Sequence, residues 1–148
     1  MDQKIISSGF ETKSVRMEAL WMVSFPAPEE DVDRIMNAVT RVVPLTMGHY
    51  DNCAFQSAAG IERYRPREGA AAGREDEVRK RPGVVEITFQ MPRDQGALNQ
   101  VIEAIFATHS YQEPAIVVQE IIASRSKGGD EDNPNRWWNK GGDWKKKE

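Results

Sequence analysis

From Met17 onward, apolar and polar positions alternate along the chain. Ala19, Trp21, Val23 and Phe25 fall on one side and Leu20, Met22 and Ser24 on the other, the period of a strand. Pro26 and Pro28 are expected to end it. The acidic run Glu29-Glu30-Asp31 suits the positive end of a helix dipole, and Val32, Ile35, Met36, Val39 and Val43 then recur at helical spacing until Pro44. Tyr50 to Gln56 reads as a second strand that turns at Ala59-Gly60, with Arg63 to Pro66 extending it as a hairpin arm. Residues 67–83 form a charged, Gly-containing loop of a length that is usually functional or disordered. VVEITFQMP, residues 84–92, is the clearest strand. Asp94 is placed to cap a second helix, whose stripe of Leu98, Val101, Ile102, Ile105 and Phe106 ends near His109. PAIVVQEIIA, residues 114–123, is a last strand rich in β-branched side chains.

The order is β-α-β-β-α-β. With right-handed crossovers this predicts an α+β, ferredoxin-like sandwich: a four-stranded antiparallel sheet with two helices on one face. The other face must be solvated or covered by another copy. Val84, Ile116, Val118 and Ile121 give their strands apolar residues on both faces, which points to a homo-oligomer. Residues 1–15 are polar and unpatterned, expected as a mobile leader. The domain itself spans 16–125, and 126–148 reads as a linker and a Trp-rich tail. In that tail Asn133-Pro134 can start a short helix, and Trp137 and Trp138 are expected to dock, in cis or across an interface. Trp144 and the run Lys145 to Lys147 follow, the lysines as a solvated end.

Composition narrows the partners. The 148 residues are 39% hydrophobic and 29% charged, with a formal net charge of −3, so neither nucleic acid nor a membrane is an expected partner. No apolar stretch approaches the roughly 20 residues that span a bilayer. The N-terminal residues lack the apolar region and cleavage site of a secretory signal. The lone Cys53 excludes an intramolecular disulfide framework and fits a reducing, cytoplasmic location.

Two constellations carry candidate chemistry. His49, Asp51, Cys53 and Phe55 are spaced to share one face of a strand, and the first three could hold zinc or copper. Phe55 on that face argues for a core position instead, with Cys53 as a small buried side chain. His109, Tyr111 and Glu113 crowd the junction between the second helix and the last strand, where they could flank a ligand cleft between subunits. They could equally build the turn: protonated His109 at the negative helix end, Tyr111 burying its ring, Glu113 accepting backbone N–H groups, Pro114 setting the strand's entry. The arginines Arg63, Arg65, Arg67, Arg74, Arg79 and Arg81, with Lys80, could hold an anion. Glu62, Glu68, Glu75, Asp76 and Glu77 are interleaved with them, which reads as a mixed soluble surface. No Ser-His-Asp or paired-carboxylate pattern stands out, so the chain reads as non-catalytic.

Three segments resemble a known family, in its order. MGHYDNCAFQS is similar to the Gly-x-Tyr-x-x-Cys-x-Phe segment of the domain inserted in bacterial Nif-three-like, dinuclear-metal-centre proteins. RPREGA matches that domain's Pro-x-x-Gly stretch, and HSYQEPA resembles its His-Pro-Tyr-Glu-Glu-Pro-Ala signature. The match covers residues 17–124. The inserted domain itself looks like the CutA divalent-cation-tolerance proteins, trimers that share their architecture with PII signal proteins. The resemblance implies a homo-oligomer, trimer favoured, linked to divalent cations, with His109, Tyr111, Glu113 and Tyr50 as ligand-binding candidates. Ser110 stands where the signature has Pro, Gln112 where it has its first Glu, and His49 where the family has Asn. The family's dinuclear metal parts have no room here, so their hydrolase activity is not implied. The resulting expectation is a stand-alone CutA/PII-like binding or regulatory module. The alternatives are a PII-like sensor of an anionic effector through the 67–83 loop, and an enzyme with an inter-subunit site.

Overall fold

A computed structural model describes residues 8–141. It is an α+β fold with two helices and, among the described residues, a six-stranded antiparallel sheet. The strands are β1 (Phe10–Glu11), β2 (Val15–Pro28), β3 (Phe55–Gln56), β4 (Gly60–Tyr64), β5 (Arg79–Pro92) and β6 (Val117–Ser126). The helices are α1 (Val32–Val42), entered through a short 3-10 turn at Glu29–Asp31, and α2 (Gln95–Thr108). β2 and β5 are the central pair, with β6 on the far side of β2 and with β3 and β4 on the far side of β5. This is the ferredoxin-like arrangement that the element order predicts.

One face holds the core. Val23, Phe25 and Ala27 of β2 and Val85, Ile87, Phe89 and Met91 of β5 meet Ile35 and Val39 of α1 and Leu98, Val101 and Ile105 of α2. Both helices present the stripe that their spacing foretells. Asp94 caps α2 by accepting a hydrogen bond from Ala97 N at 3.1 Å.

Several boundaries differ from the sequence reading, each for a physical reason. Pro26 and Pro28 lie inside β2 rather than ending it. In an antiparallel ladder the N–H and C=O of one residue point to the same side. The Pro26 carbonyl accepts from a side chain, His109, and β6 pairs with β2 only as far as Ser24. The missing N–H of Pro26 therefore lies where no strand needs it. β5 starts at Arg79, inside the segment expected as loop, because Arg79, Lys80 and Arg81 pair with Tyr64, Arg63 and Glu62 of β4. Charged side chains on an exposed edge hide the strand period.

Residues 8–15, expected to be a mobile leader, fold back as a hairpin. Phe10 and Glu11 pair with Met17 and Arg16, and Lys127 ties the hairpin down through Glu11 Oε1 and Thr12 O, both at 2.7 Å. Gly9 allows this closeness: at φ 102 its absent Cβ would sit 2.5 Å from the Met17 carbonyl. In the tail, Trp137–Asn139 form a 3-10 turn braced by the Arg136–Asp130 ion pair and by Trp138 Nε1 donating to Glu131 O at 2.7 Å. The tryptophans expected to dock remain largely outside, Trp137 at 65% exposure, because this segment closes on itself. Trp144 and the lysine run lie outside the described residues. No helix among the described residues is long and apolar enough to cross a membrane.

Candidate functional site: a cleft at the turn after the second helix

Chain direction changes at His109, the C-cap of α2, whose backbone is already extended (φ −76°, ψ 144°). The ring therefore leaves the helix axis and turns inward, where it is buried at 8% exposure. Its Nε2 lies 2.7 Å from Pro26 O, and its Nδ1 accepts the Tyr111 N–H at 3.1 Å. A carbonyl on one side and an amide donor on the other select the neutral Nε2–H tautomer. The imidazolium expected at the helix end is replaced by a neutral crosslink between turn and sheet. The ring also meets Phe25 edge-on at 6.2 Å and Tyr111 at 4.6 Å, so aromatic contact runs from the core to the turn.

Ser110 and Asp31 form the second tie. Asp31 lies in the 3-10 turn before α1 and is 3% exposed, yet it makes no capping bond to the helix. Its Oδ2 accepts both the hydroxyl of Ser110 and, at 3.3 Å, the Ser110 N–H. Its Oδ1 lies 2.8 Å from Arg34, whose Nε donates to Thr108 O at 2.8 Å. Burial pushes the Asp31 carboxyl up, but hydrogen bonds from Ser110 and Arg34 and the Arg34 charge outweigh it, and the group is held below its ordinary range. A proline at 110 has no N–H and no hydroxyl, so it could make neither bond. The departure from the family signature thus supplies the clamp.

Above this clamp lies a cleft of about 330 Å³ lined by Glu62 and Tyr64 of β4, Arg81 of β5, residues 110–113 of the turn, and Pro66 with Ala70–Ala72 of the loop. The loop wall is held by Gln112, whose Oε1 accepts the Ala71 N–H at 2.7 Å. Gln112 is a latch rather than a lost ligand. Arg81 lies over the Tyr111 ring at 5.4 Å from its centroid. The Tyr111 hydroxyl is buried with no hydrogen-bond partner among the described residues. Burial first, then the neighbouring Glu62 carboxylate, raises its pKa well above the phenolic range.

That lone hydroxyl makes a prediction. Removing a buried polar atom that has no partner costs little, so Tyr111→Phe should match the wild type or exceed it by up to ~1 kcal/mol in urea unfolding at pH 7. Above pH 10.0, the ordinary tyrosine value, the unfolded chain ionises Tyr111 while the folded chain resists. Wild type should therefore lose stability with rising alkalinity more steeply than the Phe variant. A loss above ~1 kcal/mol at pH 7 would mean that the hydroxyl is bonded after all.

Of the expected site residues, Tyr111 and Glu113 line this cleft, His109 lies beneath it, and Tyr50 is not part of it. Glu113 is exposed and accepts no backbone bond, contrary to its expected role in the turn. His49, Asp51 and Cys53 do not share a strand face. Met47 and Tyr50 exchange backbone hydrogen bonds in an isolated bridge, Asn52 takes φ 55°, and strand geometry resumes only at Phe55. Among the described residues no three His, Cys, Asp or Glu side chains gather as metal ligands. Phe55, expected to run into the core, is 69% exposed because its pairing with Thr88 puts it on the sheet's other face. Sequence reasoning missed Asp31, Glu62 and Tyr64. The cross-strand register of β4 and β5 brings the last two to the turn, and no local pattern announces it.

No protein-family model matches the sequence, and neither does any curated protein. Solved structures do. A Bacillus cereus protein related to NIF3 is similar at 20% identity and TM-score 0.60 over 81% of this chain; the chain spans 30% of that protein's length. CutA1 from the psychrotrophic bacterium Shewanella sp. SIB1 is similar at 15% identity and TM-score 0.50, over 82% of this chain and 92% of that one. CutA from Xylella fastidiosa follows at 13% identity and TM-score 0.50, over 69% and 83%. The fold of this chain is thus the one seen in CutA proteins and in part of a NIF3-related protein, as the three sequence segments imply.

Proposed function

We propose that the chain is a CutA/PII-like binding or regulatory module that works as a homo-oligomer, a trimer by resemblance, without catalysing a reaction. Its ligand enters the cleft beside Tyr111 and Glu113. The observation that carries the reading is the uncovered face of the sheet. Opposite the helices, Phe55, Thr88, Ser24 and Val117 form one row, and Pro92, Leu20 and Ile121 another, with Met22 between them. Phe55 is 69% and Val117 48% exposed. Apolar side chains grouped on an open sheet face mark an interaction surface. A link to divalent cations is part of the proposal; it draws on the CutA resemblance, and the His49, Asp51, Cys53 segment does not supply it.

Light scattering on protein purified without chelator tests this. The expected mass is three times the 16.7 kDa chain, falling to one chain in a Phe55→Glu, Val117→Glu double variant. Zinc or copper bound to the same wild-type fractions would support the cation link. A monomer at all micromolar concentrations would overturn the assembly, and metal-free fractions would remove the cation.

A further inference from the structure

We infer that the cleft at the turn recognises a small zwitterion, an α-amino acid, with Arg81 taking its carboxylate and Glu62 and Glu113 its ammonium. The inference rests on reading this cleft as the ligand site. It starts from charges left without partners. Elsewhere along the loop, arginines are paired, Arg74 with Asp76 and Arg79 with Glu75. Arg81 is not: among the described residues its guanidinium donates no hydrogen bond and forms no ion pair. Yet Glu62 is its direct partner in the β4–β5 ladder, where facing Cβ atoms lie about 5 Å apart. Arg81 rests on the Tyr111 ring instead. That stacking orients the planar group and leaves its N–H edge free for a carboxylate.

The charge balance selects the ligand class. Glu62 and Glu113 also line the cleft, and neither forms an ion pair among the described residues. A simple anion would meet Arg81 but be repelled by two carboxylates. A metal cation would meet the carboxylates but sit against a guanidinium. A molecule carrying both charges a few bonds apart satisfies both sides. Its side chain would lie on the apolar wall of Pro66 and Ala70–Ala72, which the Gln112–Ala71 hydrogen bond holds in place.

Calorimetric titration of the full chain with the free α-amino acids, their carboxamides and their N-acetyl derivatives tests the inference. At least one free amino acid should bind, and blocking either charged end should weaken it by about tenfold or more, the cost of one charge-assisted hydrogen bond. Arg81→Gln should erase the preference over the carboxamide, and Glu62→Gln the preference over the N-acetyl form. Melting curves would check that both variants fold. The inference is overturned if no free amino acid binds, or if blocked and free forms bind alike. A nucleotide or divalent cation that binds and is lost in Tyr111→Ala would overturn the amino-acid class while sparing the cleft as ligand site. Silence from every class would overturn both.

Discussion

Replacing His109 with alanine should lower the unfolding free energy by about 3 kcal/mol, and with it the melting temperature by roughly 10 °C. The estimate follows from what the ring holds. Its Nε2–H is the partner of the Pro26 carbonyl, which faces away from β5 where β6 has ended. Without the ring that carbonyl is stranded at the edge of the core, at a cost of about 1–3 kcal/mol. The Tyr111 N–H loses its acceptor at the same time, and the contacts with Phe25 and Tyr111 leave a void. His109→Leu separates the two contributions. Leucine fills most of the volume but bonds to nothing, so it should recover only a minor part of the loss. Chemical unfolding of the two variants would read this directly. A cost below ~1 kcal/mol for alanine would mean that the ring is not a crosslink, and would reopen a functional role for it.

This expectation inverts the first impression of the HSYQEPA segment. Crowded polar residues suggest chemistry, yet His109, Ser110 and Gln112 each hold a different piece of the fold: the sheet, the start of α1, and the loop. Only Tyr111 and Glu113 are left facing the cleft among the expected residues. The sequence shows that polar groups gather at the turn. It does not show what each one reaches, because every partner is distant in the chain.

The same distinction runs through the fold. β5 is plain from Val85, Ile87 and Phe89, since alternation is a local record of one buried face. Its first residues, Arg79 to Arg81, carry no such record because both faces of that edge are wet. The segment from His49 to Cys53 shows the reverse error. Its spacing imitates a strand, but the positive φ of Asn52 and the Met47–Tyr50 bridge break the geometry that the spacing presumes. Asp31 is hidden differently, as the third of three acidic residues of which the first two are exposed. Burial of a charge depends on where Ser110 and Arg34 stand, which is a tertiary fact.

Asp31 therefore gives the second large effect, and one that pH can dissect. Asp31→Ala should destabilise the protein by about 3 kcal/mol at pH 7, because it leaves the Ser110 hydroxyl and N–H without their shared acceptor and removes a charged partner. Arg34 is half exposed, so water compensates it and its share is small. Asp31→Asn keeps one acceptor oxygen and should lose less, about 1–2 kcal/mol. The sign of the acid response follows from the depressed carboxyl. Above the ordinary value of 3.8 both folded and unfolded chains carry the ionised group, and the stabilisation is fully present. As pH falls below that value the unfolded chain takes up a proton first, and the advantage drains away until the folded carboxyl is protonated too. Wild type should thus lose its margin over Asp31→Asn progressively below pH 3.8, the two unfolding curves converging in acid. A gap that stays constant from pH 7 down to pH 2 would show that the charge of Asp31 contributes nothing, and that the clamp works through shape alone.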